Sequence, residues 1–290
     1  MKTAIITDSN SGITQKEAQD LGISVVPMPV LIDSEIYYED LTLTQQQFYE
    51  KLKSNVRVST SQPNPEHIGE LWSKTLNDYD QIVYIPMSSG LSETCHTLQH
   101  YAETDERFKG KVFVVDNQRI SLTQKQSVFD AIKLAKEGKS GKEIAAWLMD
   151  TKMKSSIYIM VDTLKYLKKG GRLTPAVAAI GTLLRIKPVL QIQGFKLDTY
   201  AKVRKLSDAK DTIISAIRKD FSSRFKEEYE AGKMIIAVAH TENYEEALLF
   251  KEMIMTEFPK AEFTWVDPLS LSVSCHIGPG ALACACAIKY

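Results

Sequence analysis

The sequence predicts an α/β protein, and three observations carry that expectation. Residues 81–86 and 112–116 read as strands built on the continuous apolar runs 82–86 and 112–115 with polar sequence following, the pattern of parallel strands covered on both faces. Each leads into helical sequence, residues 93–102 and 122–136, so strand, polar end and helix repeat as in a doubly wound domain. At 290 residues the chain is long for one core, which favours two domains over the alternative of one large α/β domain. A change of pattern places the boundary near residue 155, although no Pro/Gly/Ser linker marks it.

In chain order, residues 3–7 read as a first strand. Asp8-Ser9-Asn10-Ser11-Gly12 reads as a turn into a short helix, opened by Thr14 and Glu17 at capping-box spacing and closed by Gly22. Residues 23–26 and 30–32 are β-branched runs interrupted by Pro27 and Pro29, and suit an edge or bent segment rather than a central strand. Residues 44–53 look helical. Val58-Ser59-Thr60-Ser61-Gln62-Pro63-Asn64-Pro65 is a hydroxyl cluster whose prolines end an extended segment and open a helix over 66–76.

After a helix at 142–149, residues 156–161 predict a strand and 164–167 a helical turn. Lys168-Lys169-Gly170-Gly171-Arg172 is then a flexible basic turn ahead of Thr174-Pro175. Residues 175–184 are apolar on nearly every face, which predicts a helix that is buried or lines an apolar cavity. Residues 188–193 and 197–203 read as a hairpin with Gln193-Gly194 at its turn. A long amphipathic helix over 206–229, a strand at 234–240, a helix at 244–257 and a strand at 263–266 follow. A rigid loop around His276, Gly278, Pro279 and Gly280 and an apolar C-terminal helix complete the expectation.

Charge and motif content exclude several functions. Lys plus Arg equals Asp plus Glu at 36 each, so no global field draws in nucleic acid or an anionic bilayer, and a small neutral or singly charged ligand fits better. The apolar run before Asp8 is too short for a signal peptide or a membrane span, which predicts a cytoplasmic protein. Cys95, Cys275, Cys284 and Cys286 contain no C-x-x-C pair and read as buried reduced thiols. No P-loop sequence is present. Gly278-x-Gly280-x-x-Ala283 matches a dinucleotide fingerprint only formally, because too little sequence follows for a second strand. His96 and His100 lack the intervening glutamate and third ligand of a zinc hydrolase, so neither metal nor cofactor is expected.

The densest chemistry lies in residues 82–94. Ser88, Ser89 and Ser92 surround Gly90 between a strand and a helix, where hydroxyls and free N–H groups favour a phosphate or carboxylate; the same placement suits helix N-caps. His276, in its Gly/Pro loop, is either a ligand neighbour or a satisfied turn histidine. The rival class is a serine hydrolase of the α/β type, since Ser92, Asp267 and His276 fall in the required order. That pattern breaks at Thr94, where the nucleophile elbow needs a glycine, and at Glu93, whose charge opposes an oxyanion.

Taken in order, Thr7-Asp8-Ser9, Thr60-Ser61-Gln62-Pro63, Ser88-Ser89-Gly90-Leu91-Ser92, Val115-Asp116, Gly170-Gly171-Arg172-Leu173, Lys187-Pro188-Val189-Leu190 and His276-x-Gly278-Pro279-Gly280-Ala281 resemble the motif set of the DegV family. The resemblance spans the chain. It implies a two-domain α/β fold: an N-terminal three-layer α/β/α domain with a parallel sheet over residues 1–155, and a C-terminal α/β domain with a mixed sheet over 156–290. It implies a lipid-binding subunit of the bacterial fatty acid kinase, without catalytic activity alone. Thr60 and Ser92 would hold the carboxylate of a long-chain acid such as palmitate, stearate or oleate, with Arg172 and His276 near the head group. Arg204, on the hairpin after the Lys-Pro-Val-Leu strand, would serve kinase engagement or phosphoryl transfer. Nucleotide and Mg²⁺ would come from a DhaK/DhaL-like ATP-dependent kinase partner. The acyl phosphate would feed phospholipid synthesis, with transient contact at a membrane surface. Glu93-Thr94-Cys95 departs from the family's usual Gly-Thr-Tyr, and Asn117 from its usual serine. The chemistry is consistent, because hydroxyls donate to a carboxylate while staying neutral beside an apolar tail.

Overall fold

Two compact units emerge from the computed structural model, which describes residues 1–54, 56–172, 174–178 and 186–290. Met1–Lys152 with Ser270–Ser272 and Tyr290 form the first, and Met153–Leu269 with Val273–Lys289 the second.

The first unit runs β1 (Thr3–Asp8), α1 (Gln15–Leu21), β2 (Ser24–Val26), β3 (Pro29–Ile32), β4 (Glu35–Tyr38), α2 (Gln45–Lys53), β5 (Val58–Thr60), α3 (Pro65–Thr75), β6 (Gln81–Ile85), α4 (Thr94–Thr104), β7 (Val112–Val114), α5 (Ser121–Lys136) and α6 (Gly141–Asp150). Thr14, Thr44 and Ser140 open α1, α2 and α6 with reciprocal capping boxes. A parallel sheet in the order β2-β1-β6-β7 forms its centre. Because side chains alternate along a strand, Ile5, Val83 and Ile85 face α1, α5 and α6, while Ala4, Ile6, Ile82 and Tyr84 face α3 and α4. The result is the three-layer α/β/α arrangement. On the second face Trp72, fully buried, meets Tyr84 and Phe108 edge-on at 6.0 and 5.2 Å and stacks on Tyr101 at 5.8 Å.

A second, antiparallel sheet in the order β4-β3-β5 corrects the reading of residues 30–32, for β3 is its central strand. Pro29 is tolerated because it is the first residue of that strand. The register pairs Val30 with Thr60, and so fixes Thr60 at the end of β5.

The remaining chain runs β8 (Ser155–Met160), α7 (Lys165–Lys169), α8 (Pro175–Ala178), β9 (Lys187–Ile192), β10 (Leu197–Val203), α9 (Leu206–Ser222), α10 (Lys226–Glu230), β11 (Met234–His240), α11 (Tyr244–Glu257), β12 (Glu262–Pro268), α12 (Leu271–Ile277) and β13 (Leu282–Ile288). Its six-stranded sheet, ordered β10-β9-β8-β13-β11-β12, is mixed: only β11 and β12 pair in parallel. One face meets α9 and α11 through Tyr158, Val189, Ile236, Val238, Ile213, Ile217, Phe250 and Ile254.

Several expectations are corrected here. The C-terminal apolar segment is β13, bonded on both sides, and the residues before Gly278 form α12. The long helix over 206–229 stops at Ser222, where Phe225 turns into the core and its N–H bonds Asp220 O at 2.9 Å; α10 then restarts. Of the apolar helix expected at 175–184, Pro175–Ala178 is helical and residues 179–185 lie outside the described residues. The four cysteines are buried and free. Among the described residues no helix is long and apolar enough to cross a membrane, and no group of metal-ligating side chains is assembled.

One buried carboxylate gives the first unit a pH signature. Asp130 Oδ1 accepts Gln126 Nε2 at 2.8 Å and the Tyr290 N–H at 2.9 Å, and burial raises its carboxyl from an ordinary 3.8 to about 6. The folded protein therefore keeps a proton that the unfolded chain releases, so stability falls as pH rises through the window from about 4 to about 6. Asp130→Asn is expected to flatten that slope in urea titrations and to gain up to about 3 kcal/mol above pH 7. A slope equal to the parent's would refute this.

Candidate functional site

Two sets of candidate residues fall at sheet edges, one in each unit. In the first unit, parallel strands deliver Asp8, Thr7 and the turn after β6 to the carboxyl edge, where doubly wound sheets place ligands. Asp8 organises that edge. Its Oδ1 accepts the Asn10 N–H at 3.0 Å, Asn10 Nδ2 at 2.9 Å and Gln124 Nε2 at 3.0 Å, and its Oδ2 accepts the Met87 N–H at 3.0 Å. Burial pushes its carboxyl above the ordinary range, opposed by those donors.

The serine turn is divided by its hydrogen bonds. Ser88 N–H donates to Arg119 O at 2.8 Å, and Ser88 Oγ accepts Gly90 N–H at 3.2 Å. Ser89 donates its N–H to Asp116 Oδ1 at 3.2 Å and its hydroxyl to Asp116 Oδ2 at 2.5 Å, so that hydroxyl is committed to the protein. Ser92 is half-buried just before α4, with Oγ 2.9 Å from Thr94 Oγ1 and 3.3 Å from the Thr94 N–H. The Thr60 stretch reaches the same helix, because Thr97 Oγ1 on α4 donates to Gln62 Oε1 at 3.3 Å. Both hydroxyl motifs are thus anchored on α4, with Thr60 itself half-buried at the end of β5. Glu93 is exposed and lies 3.4 Å from His96 Nδ1.

In the second unit, the turn after α7 and the last turn of α12 pack together. A Cβ on Gly170 would lie 2.0 Å from His276 Nδ1, so glycine is what lets the imidazole rest there. Gly278, at φ 80°, lies under the Tyr166 ring in the same way, with a Cβ position 2.1 Å from Cδ2. Arg172 is exposed and turns Nη1 back to Gly170 O at 2.7 Å. Burial, with Arg172 nearby, lowers His276 to about 4, which keeps the imidazole neutral at pH 7. Arg204 is exposed immediately after β10. Val203 pairs with Lys187, whose ammonium salt-bridges Asp162, so Arg204 shares one sheet edge with the end of β8 and the start of β13. Asp267 pairs with Ala239 in the β11–β12 ladder.

Thr60 and Ser92 therefore belong to the first unit, and Arg172, His276, Arg204 and Asp267 to the second. Sequence reasoning did not assign roles to Asp8, Thr94 or Gly170. The strand pattern and the Thr7-Asp8-Ser9 motif placed Asp8 near the carboxyl edge of the sheet, together with Ser9, Thr60, Ser88, Ser92 and Asp116, while the contacts at Thr94 and Gly170 required the folded geometry.

The family model described as "Uncharacterised protein, DegV family" matches residues 2–289. Protein DegV of Bacillus subtilis is 31% identical over 290 residues, covering 99% of each chain. A DegV domain-containing protein of Clostridium perfringens is 30% identical over 293 residues, covering 97% of this chain and 96% of its own. Among solved structures, DegV of Bacillus subtilis, a fatty acid binding protein, matches with a TM-score of 0.86 at 30% identity, covering 100% of both chains. A DegV family protein of Thermus thermophilus, solved as a case of fatty acid binding, matches with a TM-score of 0.88 at 27% identity, covering 99% of this chain and 100% of its own. With the same fold as these relatives and a family match over nearly its whole length, this chain belongs to the DegV family.

Proposed function

We propose that this chain is a cytoplasmic fatty-acid carrier that presents its ligand to a separate ATP-dependent kinase for conversion to acyl phosphate, feeding phospholipid synthesis. The observation that carries the reading is the Ser92 turn at the carboxyl edge of a parallel sheet, tied through α4 and Gln62 to the Thr60 stretch. Two relatives of known structure at 30% and 27% identity are described as fatty acid binding, which supports the same ligand here. In this reading Thr60 and Ser92 donate hydrogen bonds to the carboxylate of a long-chain acid such as palmitate, stearate or oleate. The tail supplies most of the affinity at about 0.8 kcal/mol per buried CH₂. Arg172 offsets head-group charge, His276 acts as a neutral hydrogen-bonding imidazole, and the exposed Arg204 faces the kinase or the transferring phosphoryl group. The chain does not phosphorylate the acid by itself; the partner supplies ATP and Mg²⁺.

The test is to extract purified protein with organic solvent, identify released lipid by mass spectrometry, and titrate delipidated protein with palmitate. Thr60→Ala and Ser92→Ala are each expected to weaken palmitate binding about tenfold. Neither a bound acyl chain nor uptake on titration would refute the carrier. Acyl phosphate formed from ATP without added kinase would refute its non-catalytic role.

A further inference from the structure

We infer that Thr94 is a positioning residue that makes the Ser92 hydroxyl a one-way donor, an inference that rests on the fatty-acid reading above. A serine hydroxyl has one hydrogen to donate and two lone pairs to accept with. Thr94 approaches the Ser92 oxygen twice, through its N–H at 3.3 Å and its Oγ1 at 2.9 Å. The direction of the hydroxyl pair follows from burial. Thr94 is 1% exposed, and Ser92 is its hydroxyl's one described partner; if Ser92 were the donor, the Thr94 hydrogen would be stranded away from water. Ser92 is half-buried and can direct its hydrogen outward. Thr94 therefore donates, both lone pairs on Ser92 are filled, and the remaining valence is an O–H.

That arrangement selects among head groups. A hydroxyl whose lone pairs are occupied meets an acceptor well and a donor poorly, and donors arriving at its oxygen polarise its own O–H. An ionised carboxylate is the matching partner, forming a charge-assisted bond. The same filled lone pairs make Ser92 a poor nucleophile, which sets it apart from a hydrolase serine awaiting a base.

The experiment compares palmitate with hexadecan-1-ol by calorimetric titration of delipidated protein, using wild type, Ser92→Ala, Thr94→Val, Thr94→Ala and Thr94→Ser, with thermal melts alongside. Thr94→Val keeps the side-chain shape without the hydroxyl and should bind palmitate about tenfold more weakly, with a smaller change for the alcohol. Its acid-over-alcohol preference should therefore shrink, and Thr94→Ser should restore it. A purely structural role would lower the melting temperature without moving that preference. If Thr94→Val does not fold, Thr94→Ala makes the same comparison. Unchanged preference in the hydroxyl-free variants, or no recovery in Thr94→Ser, overturns the inference. Loss of preference in Ser92→Ala alone refutes Thr94 and leaves the carrier standing, whereas no palmitate uptake by wild type refutes the carrier itself.

Discussion

Replacing Gly278 with alanine is expected to destabilise the second unit by about 3 kcal/mol or more, from two separable causes. The backbone at φ 80° lies in the left-handed region, where a Cβ is strained, and the new methyl would sit 2.1 Å from Tyr166 Cδ2. Shortening Tyr166 to alanine in the same chain removes the second cause and leaves the first. The double variant, corrected for Tyr166→Ala alone, should recover most of the clash and retain about 1–2 kcal/mol of backbone cost. Urea midpoints decide the matter: a Gly278→Ala midpoint equal to wild type would show that the ring yields freely and that the contact does not organise this edge.

Asp8→Asn should have a comparable effect on the first unit, despite near-identity of shape. Every described side-chain contact of Asp8 is with a donor: the Asn10 N–H and Nδ2, Gln124 Nε2 and the Met87 N–H. An amide must turn its NH₂ toward one group or the other, so a donor meets a donor in a buried site. Hydrogen bonds to a charged acceptor contribute about 1.5–3 kcal/mol each, and losing at least one while stranding its partner should cost about 3 kcal/mol. Gln124 retains Thr7 Oγ1 at 3.1 Å and Ile85 O at 3.0 Å, so the cost concentrates on Met87 and Asn10. Palmitate affinity should fall as well, because Met87 leads into the serine turn. Wild-type stability in Asp8→Asn would mean that the carboxyl is protonated in the folded state and already presents an O–H.

How much of this was legible in the sequence depends on how far each signal reached. The parallel sheet was, because Ile82, Val83, Tyr84 and Ile85 are apolar without alternation, as burial on both faces demands. β13 was not. Its Leu-Ala-Cys-Ala-Cys-Ala-Ile reads as apolar and helix-tolerant, yet Leu282, Cys284 and Cys286 point into the α9/α11 core while the intervening alanines face the other side. The small alternate residues hid a period of two. β4 escaped notice because Asp33, at φ 54°, makes the turn that a glycine or asparagine would have advertised. At the site, the hydroxyl motifs stood out by composition, whereas the commitment of Ser89 to Asp116 and the contact of His276 with Gly170 join residues far apart in sequence.

The place of β13 has a consequence for how the chain is made. Without it, the six-stranded sheet separates into the β10-β9-β8 meander and the β11-β12 pair, each with an open edge where β13 would bind. A ribosome-bound chain extending to the end of α12 therefore exposes the edges of β8 and β11 together, two strands that are buried along their whole length in the finished sheet. Synthesis passes through an interval in which the second unit cannot close its sheet, and in which strand-capturing chaperones or a neighbouring nascent chain compete for the same two edges.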